Sequence, residues 1–495
     1  MNSPTPSVGT PARSALFTDF YELTMACGYW KSGLADTHAA FHIAFREPPF
    51  GSGYTLACGL AAAIDFLRDF HFTPDDLEYL TSIPGRDRQP LLDPAFLEFL
   101  ARLRFTCDVD AVPEGTVVFA QEPLLRVQGP LIEAQLVETA LLNFLNFESL
   151  IATKAARVCQ AAQGEPVIEF GLRRAQGVDG GLTASRAAHI GGCAATSNVL
   201  AGRVFGIPLS GTHAHSWVLA FGDELTAFAA YAKALPNNCV FLVDTYDSLA
   251  GVRHAIEIGR RLREHGHPLA GIRLDSGDLA YLSIEARKLL DAAGFTETPI
   301  IGSNDLDEHL IASLKQQQGA AITVWGIGTH LITAYDQPAL GGVYKLSAIR
   351  NPGGAWEHKL KLSEQAAKIT NPGILQVRRF HSQTEFLGDA IYDLLLPAPT
   401  TFSIVHPLDP TRRKHFAPNA PADDLLVPIF RAGRLVYQPP SIEQIRDRVR
   451  GQLSLLHPGI RRLVNPHQYP AGLELSLHEL KTRLVLQARG EVTVL

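Results

Sequence analysis

The chain has 495 residues, which suggests about three domains at roughly 150 residues each. Hydrophobic residues make up 46% and charged residues 19%. This is ordinary globular usage, and it excludes a disordered, collagenous or small disulfide-stabilised protein. The formal net charge is −6, so the chain lacks the basic character of a general nucleic-acid binder. A local basic pocket for an anionic small molecule remains compatible with this charge.

The start of the chain shows no targeting signal. Residues 1–14 are polar and contain no apolar core of a secretory leader, and we expect the first dozen to form a loose arm. Six cysteines are scattered without a CxxC pair. No apolar stretch reaches the ~18–20 residues of a membrane span. We therefore expect a cytoplasmic protein with reduced, mostly buried thiols and no membrane partner.

The middle of the chain alternates between strand and helix patterns. A helical segment over 132–150 precedes a strand at Pro166–Arg174, a helix at Thr196–Phe205 and a strand at Gly206–His215. From residue 240 onwards, units of about 25–30 residues repeat, as in parallel βα folds. The predicted strand-and-loop segments are 240–244, 270–278, 299–305 and 322–329, and the predicted helices are 249–264, 279–293 and 306–318.

Both ends of the chain lack this period, which suggests a boundary on each side. We expect an N-terminal α+β domain over 1–145, a catalytic α/β domain over 146–350 and a C-terminal region over 351–495 that packs with the N-terminal domain. A last helix is predicted near 473–488. The near-continuous apolar strands of the middle part predict a parallel sheet covered on both faces, either a barrel or a doubly wound sheet.

Polar side chains recur where the predicted strands end. The carboxyl edge of a parallel sheet is where active sites are built, so we expect these side chains to share one site. The set comprises Arg173, Thr212, His215, Asp244, Asp275, Ser303 and Thr329.

Arg273 and Asp275 are two residues apart on a predicted strand and therefore point the same way. The guanidinium offers a planar fork for a carboxylate or phosphate. The carboxylate could hold ribose hydroxyls or a Mg²⁺–phosphate complex. A simple ion pair between the two is the alternative.

The run Gly326-Ile327-Gly328-Thr329 follows another strand. Its glycines would let backbone N–H groups approach a phosphate, and Thr329 adds a hydroxyl donor. A lone GxGT is a weak signal that also fits an empty turn. The GxxxxGK[ST] pattern of a P-loop ATPase is absent from the sequence.

Two further motifs allow more than one interpretation. His213 and His215 could be paired metal ligands, or one could be a nucleophile or acid–base group and the other structural. Phe170 could stack on a flat ring while Arg173 binds an anionic substituent. A buried phenylalanine beside a surface arginine is the alternative.

Taken together, these runs resemble the nicotinate phosphoribosyltransferase family. The matching stretches occur in family order over most of the chain, although the C-terminal 110 or so residues match more loosely. They are FTDFYELTMACGYW (17–30), FREPPFGSGY (45–54), LIATKAAR (150–157), EFGLRRAQGVDGG (169–181), TSNVLAGRVFGIPLSGTHAHS (196–216), LVDTYDSLAG (242–251), GIRLDSGDL (271–279), GSNDLDE (302–308), VWGIGT through LGGVYKL (324–346) and KLSEQAAKITNPG (361–373).

The resemblance implies a reaction in NAD salvage. Nicotinate and phosphoribosyl pyrophosphate give nicotinate mononucleotide and pyrophosphate, coupled to ATP hydrolysis with Mg²⁺ present. It also implies an irregular, TIM-like α/β barrel of parallel strands, flanked by an α+β domain built from both chain ends. A head-to-tail homodimer with active sites completed across the interface is part of the same implication.

The resemblance also assigns roles to individual residues. His215 matches the histidine that ATP phosphorylates, with His213 as support, and Asp275 is the second catalytic candidate. The nicotinate-binding matches are Tyr21 from the partner subunit, Phe170, Arg173, Ser197, Thr212 and Arg273. The phosphoribosyl and phosphate matches are Asp244, Ser303, Asn304, Gly326, Gly328 and Thr329. Metal is expected only as Mg²⁺ carried by pyrophosphate, with Asp244 or Asp275 as its neighbour.

Ser197 bears on the choice of base. Related nicotinamide-specific enzymes carry an Asp at the matching position, and a carboxylate there would repel nicotinate. A neutral serine therefore favours the acid. Two alternative functions remain open. One is a metal-dependent barrel hydrolase that uses His213 and His215, and the other is a non-catalytic relative. Quinolinate phosphoribosyltransferase is an alternative within the class, but those chains are much shorter.

Overall fold

A computed structural model describes residues 14–365 and 368–490, so the predicted N-terminal arm lies outside the described residues. The first third of the chain combines helices with antiparallel strands. In chain order these are α1 (Phe20–Lys31), β1 (His38–Phe45), β2 (Thr55–Leu56), α2 (Leu60–Arg68), α3 (Pro74–Thr81), α4 (Pro94–Arg102), β3 (Asp108–Ala111), β4 (Val117–Val118), β5 (Leu125–Pro130), α5 (Leu131–Leu136) and α6 (Glu138–Ala161).

The middle of the chain forms the predicted strand–helix alternation. Its elements are β6 (Val167–Glu169), α7 (Val178–Gly191), β7 (Ala195–Thr196), α8 (Val199–Phe205), α9 (His215–Leu219), α10 (Glu224–Ala234), β8 (Val240–Leu242), α11 (Ser248–Glu264), β9 (Gly271–Leu274), α12 (Leu279–Ala292), β10 (Ile300–Gly302), α13 (Glu308–Gln316), β11 (Val324–Ile327) and α14 (Thr329–Ile332). The six strands form one parallel sheet, curled into a half-barrel, in the order β7-β6-β11-β10-β9-β8.

Acidic residues set the starts of the sheet's helices. Asp247, Asp278 and Asp307 each accept hydrogen bonds from backbone N–H groups of the first turn of α11, α12 and α13. Such caps satisfy donors that have no partner inside the helix. The helix predicted from residue 306 therefore begins at Glu308, just after its cap.

The strand predicted at Gly206–His215 is wrong. This segment makes only a single parallel bridge, from Leu209 to Thr196 of the edge strand β7. Pro208 has no N–H to donate to a ladder, and Gly206 lies in the left-handed region at φ 71°. The helix predicted at Thr196–Phe205 begins only at Val199, since the Asn198 side chain accepts from Ala201 N.

Strands from both chain ends share a second sheet, while a third sheet belongs to the C-terminal region. The remaining elements are β12 (Gly342–Arg350), β13 (Glu357–His358), β14 (Leu375–His381), β15 (Phe386–Asp393), β16 (Ser403–Val405), β17 (Arg413–His415), β18 (Ala422–Asp424), β19 (Val427–Arg431), β20 (Arg434–Leu435), α15 (Ile442–Ser454), β21 (Ala471–Glu474) and α16 (Leu475–Ala488). The second sheet has the order β13-β12-β1-β5-β3-β19-β20, and the third β17-β16-β21-β15-β14-β18.

Two features of the structure concern the cysteines and possible membrane spans. All six cysteines are free thiols, and five of them are buried, as predicted. Within residues 14–365 and 368–490, no helix is long and apolar enough to cross a membrane.

A buried charge cluster joins α6 and α7 to the N-terminal region. Arg186 donates to Glu114 Oε2 at 2.7 Å and to Glu148 Oε2 at 2.9 Å, and the Cys58 thiol lies against both carboxylates. Burial raises the pKa of Glu148 to about 7, against the opposing charge of Arg186, whereas the pKa of Glu114 lies below its ordinary value. One carboxylate thus balances the guanidinium, and the other favours its neutral form.

Glu148 should therefore make folding stability depend on pH. Its pKa is higher in the folded than in the unfolded chain, so its contribution is fully present below about pH 4.5 and is lost as pH rises towards 7. The variant Glu148→Gln stays neutral at every pH. We therefore expect the free energy of unfolding of wild type, relative to that of Glu148→Gln, to fall by roughly 1–3 kcal/mol between pH 5 and 7.5. Denaturant unfolding at both pH values measures it. The exposed Glu98→Gln is the control, and a pH-independent difference for Glu148→Gln would contradict the assignment.

Candidate active site

The carboxyl ends of four central strands surround a cavity of about 180 Å³. It lies at the sheet edge where the sequence predicts a shared site. Its lining residues are Phe170, Arg173, Arg174, Arg273, Asp275, Ser303, Asn304, Asp305, Gly326, Gly328 and Thr329. Three guanidinium groups against two carboxylates make the lining suited to an anionic ligand.

Arg273 connects the strand ends around this cavity. Its Nε donates to Ser303 Oγ at 2.9 Å, and its Nη2 donates to Asp275 Oδ1 at 2.9 Å. A third donor, Nη1, lies 3.3 Å from Thr212 Oγ1. The ion pair with Asp275 is therefore real, but it is part of a network, and Ser303 Oγ donates to the same carboxylate oxygen.

Phe170 forms the aromatic wall of the cavity. The guanidinium carbon of Arg273 lies 5.3 Å from the centre of its ring, within the range of a cation–π contact. A Cβ on Gly326 would lie 2.8 Å from the Phe170 ring. Glycine at 326 is therefore required by the close approach of this aromatic side chain.

The loop after β10 adopts an unusual backbone. Asn304 and Asp305 have φ values of 102° and 42°, a region that non-glycine residues rarely adopt. Strained backbone of this kind persists where the surrounding structure holds it and clusters at functional sites. On the neighbouring strand, Gly328 leads directly into α14, which begins at Thr329.

Asp244 lies behind the cavity, buried at the end of β8. One carboxylate oxygen, Oδ2, accepts from Asp275 N at 3.0 Å and from Ser276 Oγ at 2.6 Å. The other oxygen, Oδ1, is buried and makes no hydrogen bond within the described residues. It lies 3.8 Å from His215 Nε2.

The two histidines of the HxH motif occupy different environments. His215 is 41% exposed, and its Nδ1 lies 3.2 Å from Thr245 Oγ1. His213 is buried among Phe228, Tyr231 and Phe241.

Both ring nitrogens of His213 are engaged. Its Nε2 accepts from Leu242 N at 3.3 Å, and its Nδ1 faces Ala214 O at 3.3 Å. Burial lowers the pKa of His213 and favours its neutral form. A paired metal site on the two histidines is disfavoured, because the lone pair of His213 Nε2 already accepts a backbone hydrogen bond.

Three predicted nicotinate-binding residues, Tyr21, Ser197 and Thr212, are not among the residues that line the cavity. Tyr21 lies on α1, with 46% of its surface exposed, and burial together with Glu138 and Glu22 raises the pKa of its hydroxyl. Ser197 follows β7, and its backbone N–H donates to Glu169 O at 2.9 Å.

Sequence reasoning missed Glu169, Arg174 and Asp305. The Glu169 side chain is fully buried and accepts from Ser185 Oγ at 3.0 Å, from Thr196 Oγ1 at 2.6 Å and from Gly171 N. It fixes the backbone that carries Phe170. A carboxylate that ends an apolar strand, in the run PVIE, was the available signal.

Comparison with known proteins covers nearly the whole chain. Residues 16–146 match the family described as nicotinate phosphoribosyltransferase (NAPRTase) N-terminal domain. Residues 166–359 match the nicotinate phosphoribosyltransferase (NAPRTase) family, and residues 376–481 its C-terminal domain.

Individual relatives agree over their full length. A nicotinate phosphoribosyltransferase of Bacillus subtilis is 45% identical over 485 residues, 95% of this chain and 96% of that protein. The Homo sapiens nicotinate phosphoribosyltransferase is 36% identical, with 96% and 97% covered. The crystal structure of human nicotinic acid phosphoribosyltransferase superposes with a TM-score of 0.81 at 35% identity, over 94% of this chain and 99% of that one. On this evidence the chain belongs to the nicotinate phosphoribosyltransferase family.

Proposed function

We propose that this protein transfers the phosphoribosyl group of phosphoribosyl pyrophosphate to nicotinate, coupled to ATP hydrolysis, as a step of NAD salvage. Family membership supports the transfer reaction. The observation that carries the assignment to a site is the arginine-rich cavity at the sheet edge, where Arg273 lies against Phe170 at 5.3 Å. We further infer that the curled sheet is the irregular, TIM-like barrel of this enzyme class.

Nicotinate would bind at the Phe170–Arg273 side of the cavity. The flat pyridine ring suits stacking on Phe170, and its carboxylate suits the guanidinium of Arg273. Thr212 adds a hydroxyl beside Arg273, and Arg173 adds positive charge at the rim. The neutral side chain of Ser197 would spare the carboxylate a repulsive neighbour.

The phosphoribosyl phosphate would bind at the ends of β10 and β11, which lie between β6 and β9 in the sheet. The Thr329 hydroxyl, the Asn304 amide and the backbone N–H groups of Gly326 and Gly328 suit phosphate oxygens. The Ser303 hydroxyl, which already bonds Arg273 and Asp275, would hold the start of this loop in place. The ribose would then lie between the bound nicotinate and the phosphate group, with its C1 atom towards nicotinate.

Transfer then depends on charge and position. The pyridine nitrogen of nicotinate attacks C1 of the ribose as the bond to pyrophosphate breaks, and the electron pair of that bond leaves with pyrophosphate. Positive charge develops on the sugar, and Asp275, at the cavity wall, would stabilise it electrostatically. Holding both reactants in line supplies much of the remaining acceleration.

Asp244 and Asp275 fit a magnesium ion carried by pyrophosphate. Carboxylate oxygens are ligands that Mg²⁺ prefers, and Asp244 Oδ1 is a buried oxygen without a hydrogen-bond partner in the described part of the chain. When bound, Mg²⁺ would neutralise charge on the leaving pyrophosphate. The two residues would hold this complex and orient it towards the ribose.

His215 would couple ATP to the reaction. A ring nitrogen attacks the γ-phosphorus of ATP, which forms an N–P bond and releases ADP, and later hydrolysis returns histidine and phosphate. Asp244, 3.8 Å away, and Thr245 would orient the ring. The phosphoryl group adds negative charge near the region that binds pyrophosphate. Its gain and loss would therefore change the affinity for pyrophosphate and shift the reaction towards nicotinate mononucleotide.

A head-to-tail homodimer would complete the site. Exposed apolar side chains occupy α1, at Phe20, Tyr21 and Met25, and another set lies near the cavity at Leu172, Val178, Val199, Leu200 and Val204. Exposed patches of this kind mark interfaces. In a two-fold dimer the α1 patch of one subunit would cover the cavity patch of the other, bringing Tyr21 towards the partner's Phe170.

The activity itself is tested by mononucleotide formation from phosphoribosyl pyrophosphate. We expect nicotinate to be used at least about tenfold more efficiently than nicotinamide, since Arg273 pairs with a carboxylate and not with an amide. MgATP should raise the yield. Product analysis by chromatography, with each base and with or without MgATP, measures both effects. No product from either base would overturn the proposed function.

Replacing His215 should separate transfer from ATP use. In His215→Ala we expect ATP hydrolysis to fall by about 10²-fold or more, the order lost when a directly reacting group is removed. ATP stimulation of transfer should disappear, while the ATP-independent rate persists. The matched control is His254→Ala, since His254 is 38% exposed and also paired with a carboxylate, Glu224. Unchanged stimulation in His215→Ala would exclude the phosphohistidine.

Tyr21→Ala tests the shared site. It should raise the nicotinate KM, whereas Tyr79→Ala, at another exposed tyrosine, should not. Mixing Tyr21→Ala with the inactive Arg273→Ala should recover up to about a quarter of wild-type activity, because half of the dimers are mixed and each has one intact site. Activity of the refolded mixture, compared with each variant alone, measures this. Absence of recovery would contradict a site built from two subunits.

A further inference from the structure

Lys154, on α6, is a fully buried ammonium group outside the cavity. Its Nζ lies 2.7 Å from Glu308 Oε2 and 2.6 Å from Asp336 Oδ2. The ring centre of Phe50 lies 4.8 Å from the same nitrogen. A buried charge is costly unless it is paired. The ammonium group of Lys154 therefore depends on these carboxylates for its stability.

The two partners of Lys154 lie on the chain segments that follow two different cavity loops. Glu308 begins α13, three residues after Asp305, and the loop before it carries the positive φ values of Asn304 and Asp305. Asp336 follows α14, whose first residue is Thr329. One ammonium group therefore bridges the segments behind the β10 loop, at Ser303–Asp305, and the β11 loop, at Gly328–Thr329.

Electrostatics keep this bridge intact near neutral pH. Burial opposes ionisation of Glu308, but Lys154 and Arg157 outweigh it and lower its pKa, and Arg157 Nε donates to the second oxygen at 2.8 Å. The hydrogen bond from Lys154 lowers the pKa of Asp336. Both carboxylates are thus charged. Glu308 is paired with Arg157 as well as with Lys154, whereas Asp336 is not paired with Arg157.

The segment around Asp336 is held at a second point. Gln337 Oε1 accepts from Phe50 N at 2.9 Å, and Ala334 has a φ of 47°. A chain held in such a conformation needs external contacts to stay there. The Lys154–Asp336 contact supplies one of them, directly behind the loop with Gly328 and Thr329.

We propose that Lys154, through Asp336 and Glu308, is a positioning residue that sets the spacing of the two loops that bind the phosphoribosyl phosphate. The inference rests on the proposed function. A phosphate bound by amides and hydroxyls of two loops loses affinity when those loops shift relative to each other. Phe170 follows β6 and Arg273 lies on β9, and neither belongs to these two loops, although Arg273 donates to Ser303. We therefore expect a smaller effect on nicotinate binding.

Asp336→Asn is the decisive variant. It removes the negative charge of the half-exposed Asp336 and leaves the buried Lys154–Glu308 pair in place. The protein should therefore fold with a nearly unchanged Tm. We expect the KM for phosphoribosyl pyrophosphate to rise about tenfold, the order expected for a change within a coupled network. The KM for nicotinate should change by less than about twofold. Asp336→Glu, which keeps the charge, should restore much of the affinity.

The matched control is Glu285→Gln, which breaks the carboxylate–lysine pair with Lys288 on α12. It should leave both KM values unchanged. Lys154→Met, which has similar length and no charge, should act like Asp336→Asn with a lower Tm. If Lys154→Met does not fold, Asp336→Asn still decides the matter.

Two results would overturn the proposal. One is an unchanged KM for phosphoribosyl pyrophosphate in Asp336→Asn, and the other is an equal rise of both KM values, which indicates a general loss of structure. Calorimetric titration with phosphoribosyl pyrophosphate alone distinguishes a failure of this proposal from a failure of the proposed function. An inactive wild-type enzyme would refute the function, whereas equal affinities of wild type and Asp336→Asn would refute only the role of Lys154.

Discussion

The geometry of the candidate site depends on the hydrogen bonds of one guanidinium group. Arg273 reaches Ser303, Asp275 and Thr212 from a single planar fork. These residues come from the ends of β10 and β9 and from the loop before α9, so the contacts fix three chain segments relative to one another. Because a guanidinium stays charged and its donors are rigidly oriented, the cavity keeps a defined shape while retaining positive charge for an anionic ligand.

Three buried carboxylates support the segments around this cavity, two of them held by hydroxyl and backbone N–H donors and the third by cations. Glu169 accepts from side-chain hydroxyls and a backbone N–H, Asp244 from a backbone N–H and Ser276, and Glu308 is paired with Lys154 and Arg157. Hydrogen-bonded groups of this kind orient the backbone that precedes or follows a loop. The loops of the cavity can therefore hold strained conformations, as at Asn304 and Asp305.

The flanking sheet joins strands from the first and the last third of the chain. β1 pairs with β5 on one side and with β12 on the other, with Phe45 opposite Gly342. β12 directly follows the β11–α14 segment, and α6 directly follows the strands and helix of the N-terminal region.

The sequence by itself determined the βα period, the helix caps and the set of polar residues at strand ends, because these are local patterns with a fixed spacing. It also brought out the family resemblance and the importance of Arg273 and Asp275. Only the tertiary structure decided which histidine is exposed, since His213 is held by Leu242 N, 29 residues further on. Likewise, the Lys154–Asp336 contact joins residues 182 positions apart. The second contact depends on how α6 packs against α13 and α14, and no periodicity in the sequence encodes that packing.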